Sequence, residues 1–323
     1  MHQEIVSLLA SVVDGKPLSG NTVQKLLPLL KEHRLDLHAV ARLTFSYHQT
    51  REVFTCGIIN AKSGRCAEDC SFCAQSAHHA ANTAVYGLVD EESLVKRAAA
   101  LAGRGARYMG IVLSGTSPTV RDFDVLCEVA GRIRSRVPIE LCASFGLLSN
   151  DQAVSLKEAG YSSYHHNLET AQSWYGQICT THGYDARLKT VANARAAGLR
   201  VCCGGIFGLG EGWKERLEFS ETLGQLMVDS IPVNFLTPIP GTPLEGSPLL
   251  PPEEVLDIIA IFRLMHPEKD IIVCGGRSKV LGDWDRTVFH SGASAIMIGD
   301  YLTTRGTGMD KDRELLRTLG LMG

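Results

Sequence analysis

The chain has 323 residues, 45% of them apolar and 21% charged, and a formal net charge of −3. That balance suits a globular protein with a large core and offers no basic surface for a polyanion such as nucleic acid. No run of about twenty apolar residues is present to span a membrane, and the opening MHQEIVSLLASVVDGKPLSG has neither the basic nor the long apolar segment of a secretory signal.

In chain order, residues 3–14 and 21–33 read as two amphipathic helices, the second opened by Asn21 as N-cap. Short apolar runs then alternate with helical patterns. Strands are expected near 53–60, 107–114, 138–144, 161–168, 200–207, 230–236, 270–276 and 293–299. Helical stretches such as EESLVKRAAALAGR, RLKTVANARAAG and PPEEVLDIIAIFRLM separate most of them. Eight strand–helix units predict an α/β fold, a (β/α)8 TIM-type barrel. The barrel is expected over 46–323 as one domain, behind an N-terminal helical extension over 1–45. An open doubly wound sheet is the alternative, which the count of eight disfavours.

With no export signal, a cytoplasmic location is expected, and the ten cysteines read as metal ligands or buried thiols rather than a disulfide framework. Three of them, Cys66, Cys70 and Cys73, crowd the stretch NAKSGRCAEDCSFCAQSAHH. This loop follows the first strand, at the end of the barrel where active sites lie. Thiolates prefer soft metals, and packing explains three cysteines on a polar loop poorly. Zinc is one reading, because Cys70, Cys73 and His78 begin like a zinc knuckle; Thr83 stands where the completing cysteine would fall. An iron–sulfur cube is the other, and three thiolates would leave one of its irons open.

Cys-x3-Cys-x2-Cys after the first strand of a barrel resembles the signature of radical S-adenosylmethionine enzymes. The resemblance implies a [4Fe-4S] cluster whose open iron takes the amino and carboxylate groups of S-adenosylmethionine, and an adenosyl radical that abstracts hydrogen from substrate. CAEDCSFCAQSAHH, YHHNLETA, CCGGIFGLGE, NFLTPIPGTPL and YLTT are similar, in order and spacing, to the biotin synthase family, from about residue 50 onward. That family inserts sulfur between two unactivated carbons of dethiobiotin and draws the sulfur from an auxiliary iron–sulfur cluster. By resemblance Asn167 and Asn234 contact the ureido ring, and Thr303 and Thr304 receive the substrate carboxylate. Glu169, where the family usually has Asp, holds the adenosyl ribose, and Arg187 lies near S-adenosylmethionine. Among glycines 204, 205, 208 and 210, Gly205 and Gly208 in particular let the backbone approach the adenine. An electron donor of flavodoxin or ferredoxin type and a homodimer are also implied.

The auxiliary site departs from the family's pattern. Better-known members hold a two-iron cluster with three cysteines and an arginine; Cys142 and Cys202 match two of the cysteines, but Tyr108 and Ile272 stand at the other two positions. Cys56 and Cys274 replace serines nearby. Cys56, Cys142, Cys202 and Cys274 fall on the first, third, fifth and seventh expected strands, and alternate strands of such a barrel supply the four side chains of one interior layer. A four-iron auxiliary cluster is therefore expected. Cys203 faces the opposite way as a reserve ligand, while packing suffices for Cys127 and Cys179. Two other functions stay open: a related radical maturase or mutase acting on another small substrate, and a non-catalytic zinc-binding barrel.

Overall fold

A computed structural model describes residues 3–5, 7–8, 14–48 and 52–321. Nine parallel strands form one sheet: β1 (Phe54–Lys62), β2 (Tyr108–Leu113), β3 (Glu140–Ser144), β4 (Ser163–His165), β5 (Arg200–Cys202), β6 (Gly205–Phe207), β7 (Ser230–Phe235), β8 (Asp270–Val273) and β9 (Ala295–Met297). Neighbours run β5-β4-β3-β2-β1-β9-β8-β7-β6, and a further β5–β7 pairing closes the ring. The sheet is thus an eight-position barrel whose fifth position is divided between β5 and β6. All eight expected strands are present.

The division has a local cause. A Cβ on Gly204 would lie 2.0 Å from the Pro232 carbonyl oxygen, and one on Gly205 would lie 2.2 Å from that of Glu169. Only glycine lets the chain squeeze between its neighbours there, and Pro232 has no N–H to give the ladder.

Helices wrap the barrel, among them Glu91–Ala102, Val120–Arg136, Asn150–Ala159, Tyr184–Ala196, Trp213–Gln225 and Pro252–Met265. Asp90, Thr119 and Ser149 cap the first three with side-chain oxygens on otherwise orphaned N–H groups. None of the described helices is long and apolar enough to cross a membrane.

The N-terminal reading needs two corrections. Ser19, not Asn21, caps the helix Gly20–Leu26, its hydroxyl accepting from the Thr22 N–H. The helical path also does not stop at 33: a 3-10 turn at Leu27–Leu29 leads into a helix over Leu30–His48, kinked at His33. Pro28 sits in the first turn of that short element, where its missing N–H costs nothing. Of the helix expected over 3–14, residues 3–5 and 7–8 are helical, and 6 and 9–13 lie outside the described residues. Apolar side chains of this region, including Leu18, Leu37 and Val40, pack with Ala260, Ile261 and Leu264 on the outside of the barrel.

A buried cation ties the end of the chain to the barrel. Arg277, fully buried after β8, bonds Asp285 and Asp312, and the latter belongs to the helix Met309–Thr318. The loop between β9 and that helix carries Thr303 and Thr304. Arg277→Met leaves both carboxylates unpaired, and breaking such a buried pair costs about 3–5 kcal/mol. Equilibrium denaturant unfolding of the variant checks this.

Candidate active site

One cavity of about 440 Å³ runs down the barrel axis from the mouth to the floor. Its wall includes Cys66, Cys70 and Cys73 at the top and Cys56, Cys142, Cys202 and Cys274 below. Asn167, Glu169, Arg187, Asn234, Thr303 and Thr304 line the same space.

The cysteine loop at the mouth is held by its own backbone and by a second loop. The Cys66 N–H donates to the Gln75 carbonyl at 2.9 Å, and the Ala77 N–H donates back to the Cys66 carbonyl at 2.7 Å. Asp69 accepts from the N–H groups of Thr180 and Thr181, and the Ser71 N–H donates to the Ile178 carbonyl. Small residues and this cross-bracing leave the three sulfurs facing inward. Burial pushes the Cys73 thiol up to about 11. Cys70 shares a hydrogen bond with Cys179 that, with burial, raises its own thiol and lowers that of Cys179 to about 5.

Next to the loop, Glu169 takes a left-handed backbone conformation (φ 72°) that a non-glycine residue adopts at a cost. The turn follows β4 and aims the carboxylate back into the cavity. Burial raises its pKa, against the pull of Arg187. Arg187 donates to Glu169 Oε1 at 3.4 Å, to the Asn167 carbonyl at 2.8 Å and, through Nε, to the Tyr175 hydroxyl at 2.8 Å. Its remaining nitrogen stands 3.9 Å from Cys70 Sγ. One guanidinium therefore links the carboxylate to the cysteine loop.

Asn167 and Asn234 have structural work as well. Asn167 donates to Glu169 Oε2 and accepts from the Gly204 N–H. Asn234 donates to the Gly205 carbonyl and accepts from the Gly275 N–H, bridging β6 to the turn after β8. Gly205 and Gly208 are packed closely by their own chain. Their crowding is with Glu169 and with Leu250 and Leu236, and Ile206 between them is what reaches the cavity wall.

At the floor, strand alternation turns Cys56, Cys142 and Cys202 inward, and Cys274, one residue past the end of β8, lines the same space. Cys56 and Cys274 share a hydrogen bond, which together with burial raises Cys274. Burial pushes Cys142 up to about 12 and also raises Cys202. Burial thus outweighs the nearby arginines at Cys142 and Cys274, favours the protonated thiols at Cys142, Cys202 and Cys274, and leaves an incoming metal to take the protons' place. Tyr108 and Ile272 line the same floor. Below them Arg200 donates to the Tyr108 hydroxyl at 2.7 Å and to Asp270 at 3.1 Å. Cys203 turns outward into the barrel–helix core, as alternation requires.

Two features escaped the sequence reading. Glu68, Cys179 and His182 bring one ligand atom each within 4.8 Å of one another, the spacing of a single-ion site. The Cys-x2-His spacing of CTTH was the available signal, and packing alone does not account for Cys179. The second is the contact between His165 and Cys202: residues 165, 167 and 169 alternate onto one face in the sequence, but only the structure brings Nδ1 within 3.4 Å of Sγ. Neither cysteine set falls within that single-ion spacing among the described residues. The zinc-knuckle reading finds His78 turned away, its Nε2 bonded to the Ala67 carbonyl at 2.8 Å.

Two family models match the chain: the Radical SAM superfamily over residues 61–223 and the Biotin and Thiamin Synthesis associated domain over 232–322. A biotin synthase of Nitratidesulfovibrio vulgaris is 54% identical over 305 residues, covering 94% of this chain and 84% of the relative. One from Geobacter sulfurreducens is 46% identical over 316 residues, with 98% and 96% covered. The fold is also that of methylornithine synthase, with a TM-score of 0.83 at 23% identity over 98% of this chain and 96% of the other.

The Arg187 bridge yields an expectation. Arg187→Met leaves the Glu169 carboxylate buried without its cation, which costs about 3–5 kcal/mol. Unfolding of the cluster-free protein in urea reads the loss, and an unchanged midpoint would show that the bridge contributes nothing.

Proposed function

Because this chain belongs to the biotin synthase family, we propose that it forms biotin by radical insertion of sulfur into dethiobiotin, using two iron–sulfur clusters held at opposite ends of one cavity. The carrying observation is the pairing of three thiols at the mouth with four at the floor of a single space. A metalloprotein that merely stores zinc has no need of the second set.

The residues divide the work by depth. Cys66, Cys70 and Cys73 hold a [4Fe-4S] cluster with an open iron, which supplies the electron that cleaves S-adenosylmethionine. Glu169 accepts hydrogen bonds from the ribose hydroxyls, and Arg187 opposes the effect of burial on that carboxylate while bracing the cysteine loop. Asn167 and Asn234 meet the ureido ring of dethiobiotin. Because their side chains are already bonded to backbone, they present fixed rather than wandering polar atoms, which lowers the ordering cost of binding. Thr303 and Thr304, on the loop that Arg277 anchors, receive the carboxylate at the other end of the substrate. The apolar wall between excludes water from a radical that would otherwise be quenched.

At the floor we assign Cys56, Cys142, Cys202 and Cys274 to the auxiliary cluster that donates sulfur. Four thiolates without an arginine ligand suit a four-iron cluster better than a two-iron one. A reductase of flavodoxin or ferredoxin type, a homodimeric assembly and a cytoplasmic setting complete the proposal.

Anaerobic reconstitution tests the cluster count. About eight irons per chain are expected for two four-iron clusters, against about six for a four-iron and two-iron pair. Mössbauer spectra with dethiobiotin and S-adenosylmethionine present then assign the types. Cys142→Ala is expected to abolish biotin formation while S-adenosylmethionine is still cleaved; wild-type biotin yield from that variant would remove the floor site from the mechanism.

In a separate binding test, Glu169→Ala is expected to weaken S-adenosylmethionine binding about tenfold or more, the worth of one hydrogen bond to a charged group. Equilibrium dialysis with dethiobiotin present measures it.

A further inference from the structure

β4 and the turn after it form a graded wall of the cavity. Ser163, His165, Asn167 and Glu169 face the space in succession, at a spacing near ~6.6 Å per pair of residues where the chain is extended. Ser163 bonds the Cys142 thiol at the bottom, and Glu169 pairs with Arg187 beside Cys70 at the top. Asn167 lies one step below Glu169. His165, between Ser163 and Asn167, therefore stands between the floor thiols and the place of the substrate, and the substrate-contact reading leaves it without a task.

Its contact with Cys202 is fixed by the backbone. His165 and Cys202 are direct partners in the β4–β5 register, and the His166 N–H donates to the Cys202 carbonyl at 3.0 Å. Both side chains point into the cavity, which brings Nδ1 within 3.4 Å of Sγ. A thiolate bound to iron carries no proton, so the contact persists in the loaded enzyme only if Nδ1–H donates to sulfur. The strand pairing holds that geometry whether or not a cluster is present.

We propose that His165 is a positioning residue of the sulfur-donating site, giving an N–H···S hydrogen bond to Cys202 that raises the reduction potential of the auxiliary cluster. The inference rests on the assignment of Cys202 to that cluster. Hydrogen bonds to cluster sulfurs draw charge from them and stabilise the reduced form, and such partners orient and tune metal ligands as a rule. The bond also makes the four thiolates unequal, because His165 meets only one of them. An imidazole suits the task better than a hydroxyl, since its N–H is fixed in the ring plane whereas a hydroxyl proton turns about the C–O bond.

The test uses the reconstituted holoenzyme with His165→Leu and His165→Gln. A redox titration followed by electron paramagnetic resonance reads both clusters in one sample, so the cluster at Cys66, Cys70 and Cys73 serves as internal reference. The auxiliary midpoint is expected to become more negative in the leucine variant and to return toward wild type in the glutamine variant, whose amide restores an N–H donor. The reference midpoint stays fixed. Single-turnover biotin formation by the leucine variant is expected to fall about tenfold, the equivalent of one hydrogen bond to a charged partner.

An unshifted auxiliary midpoint in the leucine variant overturns the proposal. If that variant fails to hold the auxiliary irons, wild-type enzyme labelled with 15N-histidine decides instead. Hyperfine coupling between the reduced auxiliary cluster and a histidine nitrogen, absent in the glutamine variant, supports the bond, and no coupling in wild type refutes it. A wild-type preparation with only about four irons per chain refutes the two-cluster assignment itself, and the iron assay reads that outcome before any His165 variant is made.

Discussion

The alternation of side chains along a parallel strand is the constraint on which this protein depends. Every second residue of each strand must face the barrel axis, and the ladder fixes its height relative to its neighbours. Cys56, Cys142 and Cys202 lie on strands and Cys274 directly follows β8, so residues up to 218 positions apart in the chain line one cavity. The same rule sends Cys203 outward into the core, so two adjacent cysteines have unrelated environments. Closing the ring then costs something at one place. The fifth position breaks into β5 and β6 where glycines meet Pro232 and Glu169, and that break is also what brings the Gly204 N–H to Asn167.

Burial sets the chemistry of those sulfurs. A thiol lined by apolar wall and other thiols resists ionisation, which is why Cys142 and Cys202 are shifted upward. A cation changes the balance, since a coordinating thiol gives up its proton outright. The floor is thus unfavourable for free thiolates and favourable for metal-bound ones. At the mouth the balance differs: Cys70 lies against Arg187 and Cys179, and Glu169 lies within reach of the same guanidinium. Fixed charge stands at the mouth in Glu169 and Arg187, while the lower thiols lie among Phe54, Tyr108, Ile272 and Met297 with the Arg200–Asp270 pair beneath them.

Much of this was legible in the sequence because it rests on periodicity. The eight strands, the burial direction of Cys202 against Cys203 and the convergence of the four floor thiols all follow from a period of two repeated around a closed sheet. The mouth cysteines were legible from spacing. What escaped has another origin. The Glu68–Cys179–His182 group joins two loops, and loop-to-loop contact has no period to read. The start at Ser19 competed with an equally good capping residue two positions on, and only the chain's path from Leu18 decides between them. The glycines of CCGGIFGLGE also answer a constraint internal to the fold, since a Cβ on Gly204 or Gly205 would strike the backbone of Pro232 or Glu169. A sequence shows that a Cβ is excluded there, but not by what.

The two ends of the cavity are mechanically joined through strand β4. Ser163 and His165 touch floor thiols, while the turn that follows places Asn167 and Glu169 at the level of Arg187 and the cysteine loop. A rigid strand between two sulfur sites holds their separation constant, and a radical formed at one end has a fixed path to a sulfur at the other. The left-handed turn at Glu169 marks the end of that ruler. It is bridged to Gly205 on β6, so a shift at the mouth would have to disturb the split fifth position before it could reach the floor. Strain is therefore placed at the mouth, where a local adjustment aims a carboxylate, and the floor is left to regular strand geometry.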